Sequence, residues 1–270
     1  MLRFSAHLGY LFTEVPLHAR FAAARAAGFD AVEHPDPYEI APADLKRILN
    51  GEGLEFIQFA APPGDRACGE KGIAALPGRE DEFRAALETG LAYAVASGAR
   101  FLQVQSGVVP PGADAAALWA TYIANLSLAG ACAAGAGIDI LIEPIGPATL
   151  AGYFMDRSDL ALRALEAVGS PNLRLLFDVF HSANADIPPA PFIASHAAKI
   201  GHLHIADHPG RHEPGTGKID FPALFAVIEA SGFGGTIGCE YKPAGPTLQG
   251  LGWFAPFQRP VPPAGASTVS

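Results

Sequence analysis

Residues 138–144 read Ile-Asp-Ile-Leu-Ile-Glu-Pro, a branched apolar run that meets a carboxylate and is stopped by a proline. A short run of this kind, rich in Ile and Leu, suits a strand buried on both faces. Glu143 then stands at the strand's carboxyl end, where a packed core opens into loops. Three later stretches share the layout. Residues 173–178 (LRLLFD) end in Asp178, residues 200–207 (IGHLHIAD) carry His202, His204 and Asp207, and residues 236–240 (TIGCE) end in Glu240.

The rest of the chain fits around these four strand ends. Residues 2–8 alternate loosely, as a first strand does. An alanine-rich helix is predicted over 16–27, with Gly28 as its stop, followed by a strand over 30–33 (DAVE). A helix over 42–50 and a strand over 54–59 come next. Residues 60–79 hold Pro62, Pro63, Gly64, Gly69, Gly72, Pro77 and Gly78, a long irregular stretch of the sort that is functional or disordered. Phe83, Leu87, Leu91, Ala94 and Val95 recur at helical spacing over 80–97, and a strand follows over 100–105. A helix over 115–134 carries Trp119, Tyr122, Ile123 and Leu126 on one face. Asp156 or Ser158 is expected to cap a helix ending at Val168. Shorter helices are expected over 191–198 and after Pro243, a longer one over 221–230, and a disordered tail over 258–270.

Eight strands thus alternate with helices, and no break in composition marks a linker. Strict alternation implies parallel strands with helical crossovers, and eight such units over 1–257 imply one (β/α)8 TIM barrel. The rival, an open doubly wound sheet, lacks a glycine fingerprint after its first strand.

Glu143, Asp178, His204 and Glu240 are separated by 35, 26 and 36 residues, about one strand–helix unit each. In a barrel they all stand at the face that carries active sites. Each has an ordinary reading on its own: a strand cap for Glu143, a loop anchor for Asp178, a hydrogen-bonded core histidine for His204, a surface pair with Lys242 for Glu240. Four such residues at one register point instead to a shared task. Three carboxylates placed together repel, and a divalent cation neutralises them. One imidazole with three carboxylates suits Mn2+, Mg2+ or Co2+. His202 lies on the same strand face as His204, as a ligand or a substrate contact, and His181 stands three residues beyond Asp178, in the loop above the barrel. Paired glutamates beside a cation suit proton transfer between adjacent carbons of an α-hydroxy carbonyl compound.

At these residues the chain resembles hydroxypyruvate isomerase and the 2-oxo-tetronate isomerases, within the xylose isomerase-like barrel superfamily. The resemblance covers about residues 1–257 and rests on RFS at 3–5, GEKGIAALPGRE at 69–80, LIEPI at 141–145, DVFH at 178–181, IGHLHIAD at 200–207, PGRHEPGTG at 209–217 and GCEYKP at 238–243. It implies aldose–ketose isomerisation through an enediol: hydroxypyruvate to tartronate semialdehyde, or 2-oxo-tetronate to 3-oxo-tetronate. It implies that Glu143 and Glu240 are the acid/base pair, and that both bind the metal with Asp178 and the residue at 204. That residue is glutamine in the usual hydroxypyruvate isomerase pattern, whereas His204 is similar to the ketose 3-epimerases. An epimerase on the same metal site is therefore one alternative. A barrel that binds a metabolite without turning it over is another.

A substrate carboxylate needs a cation. Arg66, Lys71 and Arg79 in the long loop are expected to fold over the barrel, and Arg211 and His212 come from a second basic loop, where Glu213 is expected to hold Arg211 off the metal carboxylates. A net charge of −9 argues against nucleic acid, including the DNA-repair phosphodiesterases of the superfamily. Cys68, Cys132 and Cys239 form no paired motif, which fits a reducing cytoplasm. No signal peptide or membrane span is predicted. The apolar faces of the outer helices leave room for a homo-oligomer.

Overall fold

The computed structural model describes residues 1–258; the expectation of a disordered tail lies, from residue 259 on, outside the described residues. The strands are β1 (Phe4–His7), β2 (Ala31–Glu33), β3 (Glu55–Phe56), β4 (Gln58–Ala60), β5 (Phe101–Gln103), β6 (Asp139–Ile142), β7 (Leu173–Asp178), β8 (Ile200–Ile205) and β9 (Thr236–Cys239). All pair in parallel, in the order β3-β2-β1-β9-β8-β7-β6-β5-β4. The two ends of that order are one run of chain broken at Ile57. Its first half pairs with β2 and its second with β5, so the sheet closes on itself. The amide of Ile57 donates to Val32 and its carbonyl accepts from Phe101, which stitches both neighbours across the break. Eight strand runs therefore make a (β/α)8 TIM barrel, and the open-sheet alternative is excluded.

The helices are α1 (Leu17–Ala26), α2 (Pro42–Glu52), α3 (Glu80–Ser97), α4 (Ala115–Ala136), α5 (Ser158–Val168), α6 (Val179–Asn184), α7 (Pro189–His196) and α8 (Phe221–Ala230). A 3-10 segment, Thr247–Phe257, follows the last strand. It lies against the barrel through Phe254, whose ring stacks on Phe29 at 4.2 Å, and Trp253, which meets Phe4 edge-on. Helix α4 is long and apolar enough by composition to cross a membrane. Its Tyr122, Leu126, Ala129 and Ala133 are buried in the core, as in the core helix of a globular protein.

Two details depart from the sequence expectations. Helix α5 has Arg157 at its N-cap with no side-chain cap, so neither Asp156 nor Ser158 closes it; Asp156 pairs with Arg157, and Ser158 is the first helical residue. A one-and-a-half-turn helix, α6, starts directly at the end of β7, because the Asp178 side chain accepts from the amides of Phe180 and His181.

The barrel interior is layered. Ala31, Ile57, Phe101, Leu141 and Leu176 form a small apolar plug separate from the large core between strands and helices. On β8, Ile200, Leu203 and Ile205 belong to the outer core, and the register shift opposite Leu175 and Leu176 absorbs Gly201 as an extra residue. That leaves His202 and His204 on the inner face. Asp178 pairs in register with His204, His204 with Gly238, and His7 with Glu33, so the polar groups form a belt above the plug.

Candidate active site

The belt brings Glu143, Asp178, His204 and Glu240 together. One donor atom from each lies within 4.8 Å of the others, and all but Glu240 are buried. One imidazole nitrogen and three carboxylate oxygens converging from four strands form a donor set that fits a hard divalent cation. Glu143 Oε2 accepts from Gln103 Nε2 at 2.6 Å, while its Oε1 is buried without a hydrogen-bond partner. Asp178 divides its oxygens: Oδ1 caps α6, and Oδ2 stays free of that duty, 3.5 Å from His181 Nε2. His204 is held between carboxylates, with Nε2 2.9 Å from Glu33 Oε1 and Nδ1 3.4 Å from Glu240 Oε2.

Charge is distributed unevenly. Burial, reinforced by the Glu240 carboxylate, pushes the Glu143 acid up to about 8. Burial acts the same way on Glu240, but the His204 and Arg211 cations outweigh it and hold that acid well below the usual carboxylate range. The His204 imidazole would be lowered by burial; Glu33 and Glu240 raise it well above its ordinary value instead. His7, 3.5 Å from Glu240, is lowered by burial, which its acidic neighbours only partly offset. The result is a neutral Glu143 beside an ionised Glu240, two carboxyl groups driven apart by their surroundings.

Arg211 lies inside this site. It is in the left-handed backbone region, at φ 58°, and its guanidinium sits between the rings of Tyr10 and Phe180, at 5.4 and 5.2 Å from their centres. Its Nη2 contacts Glu240 Oε2 and is 3.3 Å from Asp178 Oδ2. The expectation that Glu213 holds Arg211 off these carboxylates is therefore corrected. Glu213 turns away, accepts from the Ala244 amide and packs against Gly250, where a Cβ would come within 2.6 Å of its Oε1. The loop is anchored by Asp207, whose two buried oxygens accept from the amides of His208, Gly215, Gly217 and Ile219.

The other expected residues lie as follows. His181 is beside the cluster, with Nδ1 3.2 Å from Thr149 Oγ1 and Nε2 3.9 Å from Glu143. His202 faces inward but one layer down, 2.7 Å from Glu33. The long-loop cations are engaged elsewhere or exposed. Arg79 pairs with Glu70 and Glu82, Arg66 pairs with Asp36 and lies over the Tyr38 ring, and Lys71 is exposed. The loop itself is anchored: Ile73, Ala74, Ala75 and Leu76 are buried, and Asn125 of α4 donates to the Ala74 carbonyl. Three residues of the belt are outside the candidates the sequence singled out: His7 at the end of β1, Glu33 at the end of β2 and Gln103 at the end of β5. Glu33 and Gln103 end apolar strands, the signal that singled out the four later residues.

The chain matches the family described as xylose isomerase-like TIM barrel over residues 21–257. It is 43% identical over 257 residues to a 2-oxo-tetronate isomerase from Cupriavidus necator, covering 95% of this chain and 99% of the relative. It is 40% identical over 258 residues to the hydroxypyruvate isomerase of Escherichia coli, covering 96% and 100%. Among solved structures, one from Brucella melitensis described as an AP endonuclease, family 2, superposes with a TM-score of 0.93 at 39% identity, over 96% of this chain and all of that one. The chain belongs to the hydroxypyruvate isomerase and 2-oxo-tetronate isomerase family of the xylose isomerase-like TIM barrels.

Proposed function

We propose that this protein is a metal-dependent isomerase of a small hydroxy-oxo acid, interconverting hydroxypyruvate and tartronate semialdehyde or the corresponding 2- and 3-oxo-tetronates. The observation that carries the reading is the convergence of Glu143, Asp178, His204 and Glu240 at the barrel mouth of a chain in this family. A divalent cation of the Mn2+, Mg2+ or Co2+ type, held by these four, would polarise the carbonyl and the adjacent hydroxyl.

The remaining work falls to side chains. In hydroxypyruvate the C–H proton must leave the hydroxymethyl carbon and one must arrive at the carbonyl carbon, while an O–H proton moves from one oxygen to its neighbour. Glu143 and Glu240 are the pair that removes and returns the carbon-bound proton. Gln103 fixes the Glu143 carboxyl by donating to Oε2. Arg211, packed against the rings of Tyr10 and Phe180, offers guanidinium N–H groups to the substrate carboxylate, which would replace its contacts to Asp178 and Glu240. His181 is in reach of the substrate's hydroxyl end through Nε2, its ring oriented by Thr149.

The test is conversion of each acid by Mn2+-loaded protein, followed by product analysis. Conversion that disappears in Glu143→Gln supports the reading; turnover that survives exhaustive chelation with no metal left by elemental analysis would sink it. A ketose 3-epimerase is the second reading, favoured by His204. It predicts that His204→Gln shifts the ratio of kcat/KM between a ketose and hydroxypyruvate.

A further inference from the structure

One layer below the four-group cluster, the Glu33 carboxylate lies among Ser5, His202 and His204. Oε2 accepts from Ser5 Oγ at 2.9 Å and from His202 Nε2 at 2.7 Å, and Oε1 is 2.9 Å from His204 Nε2. Ser5, Glu33 and His202 are inaccessible to solvent, and His204 is nearly so. The neighbouring strand makes room for the group with a glycine. A Cβ at Gly238 would stand 2.3 Å from Glu33 Oε1, 2.6 Å from His204 Cδ2 and 2.8 Å from His202 Nε2. The backbone at 238 thus approaches where no other residue fits.

A carboxylate in this position only accepts. Its partners are a hydroxyl and two ring nitrogens, so both Nε2 atoms carry protons. On His204 the remaining nitrogen, Nδ1, is then turned to the ligand cluster, 3.4 Å from Glu240 Oε2. The contact from His204 Nε2 to Glu33 is bent off the N–H axis, and neither His204 nitrogen makes a straight hydrogen bond. The ring is held by charge on both sides. Glu33, His202 and His204 are near enough to one another to hold an ion of their own; Ser5 and His202 both donate to Oε2, and Oε1 is left without a straight hydrogen bond, facing His204.

We propose that Glu33 is the positioning residue of the metal site: it fixes the Nε2 proton of His204 and so leaves Nδ1 as the nitrogen presented to a divalent cation at Glu143, Asp178 and Glu240. Outer carboxylates that orient ligating imidazoles in this way are worth about 10–100-fold in metal affinity. The inference rests on the metal reading given under Proposed function and adds to it the residue on which the His204 ligand depends. His202 shares Glu33 as a second donor and keeps the carboxylate from rotating toward the mouth.

The experiment is Mn2+ titration calorimetry on the full chain, as wild type, Glu33→Gln, His204→Gln and the double variant. Glutamine at 33 keeps the size but sets an amide N–H2 group against one of the two imidazoles. Glu33→Gln is expected to weaken Mn2+ binding about 10–100-fold in the wild-type background. In the His204→Gln background, where no imidazole needs orienting, the same change is expected to cost no more than about twofold. Equal losses in both backgrounds, or no loss in the first, would overturn the proposal while leaving the metal site intact. Absence of Mn2+ binding by the wild type would overturn the metal reading as well. Should Glu33→Gln fail to fold, Ser5→Ala, which frees one contact of the same carboxylate, decides the matter. A smaller loss that vanishes beside His204→Gln supports positioning, and a loss that persists contradicts it.

Discussion

Glu143 and Glu240 face one cluster with opposite charge preferences, and the difference has measurable consequences. Binding a cation must displace the proton that burial and Glu240 keep on Glu143 up to about pH 8. Mn2+ affinity is therefore expected to rise with pH toward 8, by about tenfold per unit for each proton released, and to rise less steeply in Glu143→Gln, where the His204 imidazolium still has a proton to give up. Stability runs the other way. A folded-state value raised from 4.5 to about 8 gives stability that is complete below 4.5 and is lost as the pH climbs through 8. Thermal unfolding of the metal-free protein is thus expected to fall relative to Glu143→Gln over that window; parallel pH profiles for the two would refute the assignment. Glu143→Gln is also expected to cost about 100-fold or more in kcat, as for loss of an acid/base group. The four residues brought together here were legible because each ends an apolar run one strand–helix unit from the next. Glu33 and Gln103 carry the same mark. Glu33 passed unread because β2 is only three residues long, too short for an apolar run to register, and Gln103 because the strand expected over 100–105 ran two residues past it and its side chain carries no charge.

Loops divide by what they pack against. The chain between β8 and α8 is folded onto one buried carboxylate, Asp207, whose oxygens serve four backbone amides. At Gly217 a Cβ would fall 2.5 Å from both Asp207 Oδ1 and the His208 carbonyl oxygen, so this turn closes only around a glycine. Asp207→Ala strands those amides and is expected to lower stability by about 1–3 kcal/mol or more. Because the same loop carries Arg211, KM for an anionic substrate is expected to rise in this variant more than kcat falls; an unchanged KM would separate the loop from substrate binding. Sequence spacing located this loop and the 60–79 loop but not the partners their cations take. Arg66, Arg79 and Arg211 all lie in glycine-rich stretches. What separates them is partners far along the chain: Asp36 for Arg66, Asp178 and Glu240 for Arg211. Helix boundaries, in contrast, were written locally. α3 and α8 begin and end where their apolar spacing does, whereas α6 escaped because its start depends on the Asp178 cap rather than on periodicity.

At the scale of the whole molecule, closure of the sheet through Ile57 sets all eight strand ends around one mouth, and the plug beneath them gives the polar belt a rigid floor. The C-terminal segment braces the barrel from outside through Phe254, which is fully buried and stacked on Phe29. Phe254→Ala is expected to cost about 3–5 kcal/mol in unfolding while leaving Mn2+ affinity within about twofold, since its ring packs on Phe4, Phe29 and Trp253 and not on a ring of the cluster. A cation that binds only the folded form must also raise the unfolding temperature, and the rise should be lost with the ligands rather than with the brace. The claim on which everything else depends is that the paired glutamates move a carbon-bound proton on a short hydroxy-oxo acid. Proton NMR of hydroxypyruvate in D2O with Mn2+-loaded protein, followed by chelation before the spectrum is taken, tests it most directly. The account predicts deuterium entering the hydroxymethyl carbon or the C2 position of the isomerised product with wild type, and none above background with Glu143→Gln. Exchange at an equal rate in that variant, or no exchange and no product with the wild type, would contradict it.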